Sequence, residues 1–479
     1  MATQTRSLRS VDPSTGEMVE EFAVMHAGQI DAALGAAASA FSRWHATPVS
    51  DRAARLRDAG AVLRRRRDEL AATITREMGK TIVEAEAEVE KCAFCCDYYA
   101  DNAARFLADE AFPSDSARSF VAYAPIGPVL AIMPWNFPLW QAFRALVPAL
   151  CAGNVMLLKH AGNVSRCAIN IESVLSEAGL PSGVFTTLLI DGPSASELVA
   201  DPRIRGVTLT GSDATGARVA GLAGEHLKKT VLELGGSDAY IVLEDADLGP
   251  AASTAVRSRF QNAGQSCISA KRFIVVASVA EEFEERMVAE TTRLRVGEPR
   301  SRETQMGPLA REDLRAELER QLAESVSAGA EVRTGGRRRG ERGWFFEPTV
   351  LTGCTPEMTV FREETFGPLA AVMRVANDEH AVDVANASVY GLGGNIWTRD
   401  IDRGTDLARR LDTGGVFING MTHSDPRLPF GGVKRSGYGR ELSSVGIREF
   451  TNVQTIWMPD GGAAGSTPGA AASGTPGVE

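Results

Sequence analysis

The chain has 479 residues, 44% of them hydrophobic and 23% charged, with a formal net charge of −10. Single cores stop growing near about 250–300 residues, so at least two domains are expected. The composition is that of a soluble globular protein, and the acidic balance argues against nonspecific nucleic-acid binding.

Val11-Asp12-Pro13-Ser14-Thr15-Gly16-Glu17 reads as a hairpin turn between short strands. Helical patterns follow, one near Ile30, one at the cap candidate Ser50 and one near Thr81. The run Arg64-Arg65-Arg66-Arg67 lies in such a pattern beside Asp68 and Glu69, which predicts a solvated helix face. Cys92-Ala-Phe-Cys95-Cys96 has the look of a metal motif, but no His is near. Phe94, Tyr98 and Tyr99 accompany it, so core packing is expected and no metal. The texture then changes to short apolar strands separated by helical stretches: 129–133, 155–159, 184–190 and 207–210. That alternation predicts a parallel, doubly wound α/β sheet. The second half repeats it at 273–276, 369–373 and 415–419, predicting a second α/β domain. Residues 108–125 and 448–458 read as strands outside both sheets. The tail, 461–479, is rich in Gly, Ala, Ser and Pro and is expected to be disordered.

The seven cysteines are odd in number and irregular in spacing, so no disulfide framework is expected. No apolar h-region and no membrane-length apolar run is visible, and the expectation is a cytoplasmic protein without a membrane partner.

The chemistry concentrates in three places. Cys267 ends Phe260-Gln-Asn-Ala-Gly-Gln-Ser-Cys267. Glu233 lies in Leu232-Glu233-Leu234-Gly235-Gly236, and Asn136 lies in Pro134-Trp135-Asn136-Phe137-Pro138. A thiol, a carboxylate and a carboxamide are the parts for covalent chemistry on a carbonyl: the thiolate attacks, the amide N–H holds the oxyanion, the carboxylate activates water. Taken alone, a cysteine is more often a small buried hydrophobe. A G-x-G-x-x-G fingerprint is absent, and Thr210-Gly211-Ser212, ending a strand and opening a helix, is the candidate phosphate-binding turn. A plain strand–helix turn is the competing reading there.

These segments, in this order, resemble the aldehyde dehydrogenase superfamily. So do Gly211-Ser-Asp-Ala-Thr-Gly216, Glu363-Glu364-Thr-Phe366-Gly-Pro368 and Pro429-Phe-Gly-Gly-Val-Lys-Arg-Ser-Gly437. The resemblance runs from about residue 8 to residue 458. It implies a cofactor-binding domain at 1–107 and 126–234, a catalytic domain at 235–447, and oligomerisation strands at 108–125 and 448–458 in a homodimer or homotetramer. It implies that Cys267 is the nucleophile, that Asn136 and the Cys267 N–H hold the oxyanion, and that Glu233 is the base for thioester hydrolysis. Trp135, Lys159, Gly211, Ser212, Gly216, Leu234, Glu364 and Phe366 fall at cofactor-binding positions. NAD-preferring members carry a Glu where this sequence has Gly162. Without that carboxylate a 2′-phosphate is not repelled, so NADP is favoured over NAD.

Arg144 stands at the position where succinate-semialdehyde dehydrogenases carry a substrate-binding Arg, in a helix expected to line the aldehyde tunnel. Ser424 could donate to the same carboxylate. A salt-bridged helix residue is the competing reading for Arg144. The second substrate Arg of some relatives is replaced by Gln261, with Arg259 nearby but out of register. A second Cys two positions after the nucleophile is replaced by Ser269. The resemblance is to the bacterial NAD(P)-dependent succinate-semialdehyde branch, and the expected substrate is succinate semialdehyde. Alternatives are another aldehyde such as glutarate semialdehyde, a cofactor-free thiol hydrolase, and a non-catalytic scaffold.

Overall fold

The computed structural model describes residues 7–459. The predicted N-terminal hairpin forms, with Ser7–Val11 antiparallel to Met18–Ala23. Four helices follow: Ala27–Trp44, Val49–Arg65, Arg67–Met78 and Ile82–Phe106. Thr81 caps the last of them in a reciprocal box with Glu84. Ser50 is not a cap, because the helix already begins at Val49, after Pro48. The arginine run does not ride on one helix face either. Arg66 leaves helical geometry (φ −100°, ψ 15°), so the run spans a helix junction, and its charges are taken up by Glu90, Asp97, Glu69, Glu177 and Asp68. Cys92, Cys95 and Cys96 are fully buried in the core.

The first α/β sheet is six-stranded. Its parallel strands are Pro128–Met133, Val155–His160, Phe185–Thr187, Gly206–Thr210 and Lys229–Glu233. The third is shorter than the apolar run 184–190 that announces it. Gly437–Tyr438 adds an antiparallel edge from far along the chain. The second sheet is seven-stranded. Parallel pairing joins Asp238–Val242, Ala270–Val276, Leu369–Val375, Thr349–Thr352, Gly393–Trp397 and Gly415–Ile418, and Glu331–Thr334 closes one edge antiparallel. Alternation gives this sheet two buried faces: Ile241 and Ile274 face one core, Tyr240 and Phe273 the other.

The strands predicted outside both sheets form a third. Thr451–Met458 pairs along its full length with Arg118–Pro125, and Glu110–Ala111 completes it. The predicted tail at 461–479 lies outside the described residues. Among those described, no helix is long and apolar enough to cross a membrane, and no cluster of His, Cys, Asp and Glu is arranged to hold a metal.

Candidate active site

Cys267 lies where the two large sheets meet, after a loop with left-handed backbone at three consecutive residues: Asn262 (φ 52°), Ala263 (φ 51°) and Gly264 (φ 74°). Left-handed geometry is strained for non-glycine residues and persists only when the surroundings impose it. The surroundings do so here. Asn262 N–H donates to Glu84 Oε1 at 2.7 Å, and its side-chain amide donates to the carbonyls of Asn136 (2.8 Å) and Gln265 (3.0 Å). Two buried cations clamp the loop's carbonyls. Lys271 Nζ donates to Ser266 O and Cys267 O, both at 2.8 Å, and the Arg259 guanidinium donates to Gly264 O (3.4 Å) and ties the loop to Thr365 O (3.0 Å) and Gly367 O. Arg259 is fully buried in this clamp, so it is committed to backbone carbonyls.

Asn136 is held from the other side. The helix Trp140–Ala152 lacks its own side-chain cap. Glu88 supplies one from the Ile82–Phe106 helix, with Oε1 accepting from Leu139 N–H (2.8 Å) and Trp140 N–H (3.0 Å). Lys80 pairs with Glu88 and sits over the Phe137 ring. His160 Nε2 donates to Pro138 O at 2.7 Å, and burial pushes its pKa down to about 4, which keeps the ring neutral. In the fixed segment between these restraints, Asn136 Nδ2 donates to Gln265 O at 3.1 Å. One amide hydrogen is used, and the other is left for a ligand.

A cavity of about 370 Å3 opens in front of Cys267. Trp135, Asn136, Gln141 and Cys267 form one wall, Thr210, Gly211, Ser212, Leu234 and Gly235 a second, and Glu364 and Phe366 a third. Phe366 meets Trp135 edge to face, with ring centroids 5.7 Å apart. Glu364 Oε1 accepts from Gly236 N–H at 3.0 Å and lies 3.5 Å from Lys271 Nζ. A Cβ on Gly236 would sit 2.6 Å from Cys267 O, so only glycine allows this approach. Ser212 caps the helix Asp213–Glu225, whose N-terminus opens at the cavity, a geometry that suits a phosphate group.

Other candidate residues lie off these walls. Gly216 packs against Leu234, where a Cβ would meet Leu234 Cδ2 at 2.5 Å. Lys159 stands one residue before the end of its strand, beside Ile132, and burial lowers its pKa against the pull of Asp191. Gln261 lines a separate surface groove with Arg257. Glu233 ends its strand with both carboxyl oxygens buried and without a hydrogen-bond partner among the described residues. Burial, then the like charge of Glu441, raises its pKa well above the carboxylate range. Burial also pushes the Cys267 thiol up to about 12, opposed by the positive charges of Arg144 and Lys271.

Arg144 is not among the residues that line this cavity. The guanidinium is 2% exposed, ion-paired with Glu441, within 3.3 Å of Thr210 Oγ1 and over the Phe430 ring. It acts on the site through its charge. Ser424 is likewise off the wall, where Oγ accepts from Trp140 Nε1 (2.8 Å) and Lys91 Nζ (2.9 Å). Arg144→Leu is therefore expected to strand Glu441 as an unpaired buried charge and to cost about 3–5 kcal/mol of stability. Urea unfolding measures this, and the double variant Arg144→Leu/Glu441→Leu should recover most of it. An unchanged midpoint for Arg144→Leu would show that the pair carries no such energy.

The groups that sequence reasoning passed over are Glu88, His160, Lys271, Gln141, Arg311 and Glu441. Glu88, His160 and Glu441 act through contacts made far along the chain, for which no local sequence signal exists. Arg311 lines the cavity over the Trp135 ring (5.3 Å), steered by Asp313.

Comparison with known proteins agrees with this geometry. The aldehyde dehydrogenase family model matches residues 1–456. A Synechocystis protein described as a probable succinate-semialdehyde dehydrogenase (NADP(+)) is 50% identical over 452 residues, covering 94% of this chain and all of that one. The Escherichia coli succinate semialdehyde dehydrogenase (NAD(P)+) Sad is 48% identical, covering 94% of this chain and 97% of its own. The succinic semialdehyde dehydrogenase of Streptococcus pyogenes, solved with NADP+ as the cofactor, superposes with a TM-score of 0.93 at 38% identity, covering 95% of this chain and 100% of that one. With a thiol, a carboxamide and a capped helix N-terminus around one cavity and this extent of similarity, the chain belongs to the aldehyde dehydrogenase family.

Proposed function

We propose that the chain oxidises succinate semialdehyde to succinate, with NADP preferred over NAD. The observation that carries the reading is the cavity in which Cys267, Asn136, Glu364, Phe366 and the Thr210–Ser212 turn share walls. The names of the similar proteins support the substrate and cofactor.

The residues fit a nicotinamide dinucleotide. The N-terminus of Asp213–Glu225 and the Gly211-Ser212 backbone would take the pyrophosphate, with Gly216 allowing the helix to lie close on Leu234. Lys159 would reach the adenosine ribose. Glu364 would hold the nicotinamide ribose, and Phe366 and Trp135 would wall the ring. When bound, the dinucleotide supplies the hydride acceptor.

The protein's own part follows from position and charge. Cys267 Sγ attacks the aldehyde carbon as the thiolate, favoured by Arg144 and Lys271. The free amide hydrogen of Asn136 and the Cys267 N–H hold the oxyanion. Oxidation leaves an acyl thioester on Cys267. Glu233 directly precedes Leu234 and Gly235 on the cavity wall, which supports a role for it at the thioester. Its raised pKa makes it a stronger base once ionised, suited to deprotonating the water that hydrolyses the thioester. One NADPH and one succinate formed per aldehyde test the reading. Acid released without NADPH would point to a thiol hydrolase, and no reaction to a scaffold.

Gly162 opens a short helical turn just after the strand that carries Lys159, and a Cβ there would lie 3.2 Å from Leu8 Cδ2. A side chain fits once that flexible tip gives way by a few tenths of an ångström. Gly162→Glu should shift the ratio of kcat/KM for NADP over NAD about tenfold towards NAD, since like charges near 4 Å cost about 1 kcal/mol or more even in water. An unchanged ratio would mean that residue 162 does not face the ribose.

The division into a cofactor-binding domain (1–107 and 126–234), a catalytic domain (235–447) and assembly strands (108–125 and 448–458) belongs to the same proposal, as does a cytoplasmic homodimer or homotetramer. The outer edge of Thr451–Met458 is unpaired among the described residues. Val453 and Trp457 are exposed on that strand, which supports pairing with a second copy.

A further inference from the structure

We infer that the Lys91 ammonium, working with the Ser424 hydroxyl, is the direct anchor for the carboxylate of an anionic aldehyde. This rests on the succinate-semialdehyde reading of the same site and names the group that confers it.

Lys91, on the Ile82–Phe106 helix, has no carboxylate partner among the described residues, and Glu88 is the carboxylate whose charge acts on it. Glu88, one turn earlier on the same helix, is taken by Lys80 and by the N–H groups of Leu139 and Trp140. Glu90 pairs with Arg64. Asp425, next to Ser424, is held bidentately by Arg427 at 2.8 and 2.6 Å. Glu441 is taken by Arg144. A cation without a counter-ion, in a place where every neighbouring anion is committed, is available to an anionic ligand.

Ser424 supplies the second donor. A hydroxyl has two accepting lone pairs and one proton to donate. Both acceptor sites of Ser424 Oγ are used, by Lys91 Nζ (2.9 Å) and Trp140 Nε1 (2.8 Å), and its proton has no acceptor among the described residues. Ser424 is 4% exposed, so this donor is buried and oriented. Two donors with spare hydrogens on adjacent atoms suit the two oxygens of a carboxylate. The place is tied to the reaction cavity by the Trp140–Ala152 helix: Trp140 holds Ser424, and Gln141 lines the cavity with Cys267. The Lys91 ammonium also lies 4.3 Å from the centre of the Trp140 ring, which fixes its direction. Arg144, paired and buried, adds only a positive field.

Three variants, Lys91→Met, Lys91→Arg and Ser424→Ala, are assayed with NADP on succinate semialdehyde and on butanal. Losing a charged pair in a partly desolvated pocket costs about 2–5 kcal/mol, so Lys91→Met should raise KM for succinate semialdehyde by about 30-fold or more. Its kcat should stay within about threefold, and kcat/KM for butanal should change little, which also reports that the variant folds. Lys91→Arg should restore most of the affinity. Ser424→Ala should give roughly a fivefold loss, the worth of about one hydrogen bond.

A pH profile adds a readout that a packing role would not move. Burial, with Arg144 as the facing cation, pushes the Lys91 pKa down to about 8, against the opposing charges of Glu88, Cys92 and Cys95 on its own helix. The ammonium is charged below that pH and neutral above it. The ratio of kcat/KM for succinate semialdehyde over butanal should therefore fall as pH rises through about 8, and stay level in Lys91→Arg. If wild type prefers succinate semialdehyde and Lys91→Met keeps that preference, the anchor is elsewhere and this inference is overturned. If both aldehydes suffer equally, Lys91 serves folding and it is also overturned. If wild type itself shows no preference, the succinate-semialdehyde reading fails and the inference falls with it.

Discussion

Cys267→Ala is expected to abolish aldehyde oxidation, with kcat falling on the order of 10^5-fold, the scale seen when a covalent nucleophile is removed. The structure says the loss will be chemical. The loop around Cys267 is held by its carbonyls, Ser266 O and Cys267 O through Lys271 and Gly264 O through Arg259, and by the side chains of Asn262 and Gln265. None of these contacts uses Sγ. The variant should keep the wild-type unfolding midpoint and bind NADP, as read by fluorescence titration. Residual turnover of a few per cent or more, in protein free of wild-type contamination, would remove Cys267 from the mechanism.

Asn136→Ala is expected to lower kcat by about 100- to 1000-fold, the usual worth of one oxyanion donor. The amide is aimed before substrate arrives. One hydrogen is spent on Gln265 O, and the backbone carbonyl of Asn136 accepts from Asn262. The substitution leaves that backbone contact in place, so the nucleophile loop should stay formed and KM should move far less than kcat. Single-turnover measurement of NADPH formation checks this. A near-normal rate in a folded variant would mean that another donor holds the oxyanion.

The sequence announces the parts of this site better than their directions. Motif residues such as Trp135, Gly211 and Leu234 meet at one cavity because each follows a parallel strand, where open α/β sheets gather ligands. The two-sheet architecture is legible for the same reason: short apolar runs alternating with helices admit few other packings. Side-chain direction is a tertiary property. Arg144 sits on a helix that borders the site, but its partner is Glu441, brought beside it by the segment that returns to the first sheet. No spacing rule foretells that pair. Lys91 was invisible for the opposite reason: what marks it is a missing partner, which shows only when every neighbouring carboxylate has been accounted for. Gly216 reads as a phosphate-motif glycine, and in the structure its role is the close approach of Leu234. The arginine run at 64–67 shows the limit of periodicity, since a helix break at Arg66 leaves the pattern almost unchanged.

The buried polar network explains how strain at the nucleophile is tolerated. Glu84, Glu88, Arg259 and Lys271 satisfy backbone groups that would otherwise be orphaned around Cys267 and Asn136. Four charged side chains are spent on geometry, and Cys267 and Asn136 are left free for chemistry.

The most direct test of the central claim is a panel of C3–C6 aldehydes, each with and without a terminal carboxylate, assayed for kcat/KM with NADP and with NAD. Succinate semialdehyde with NADP should give the highest value, well above butanal with the same cofactor. Equal values for succinate semialdehyde and butanal would contradict it.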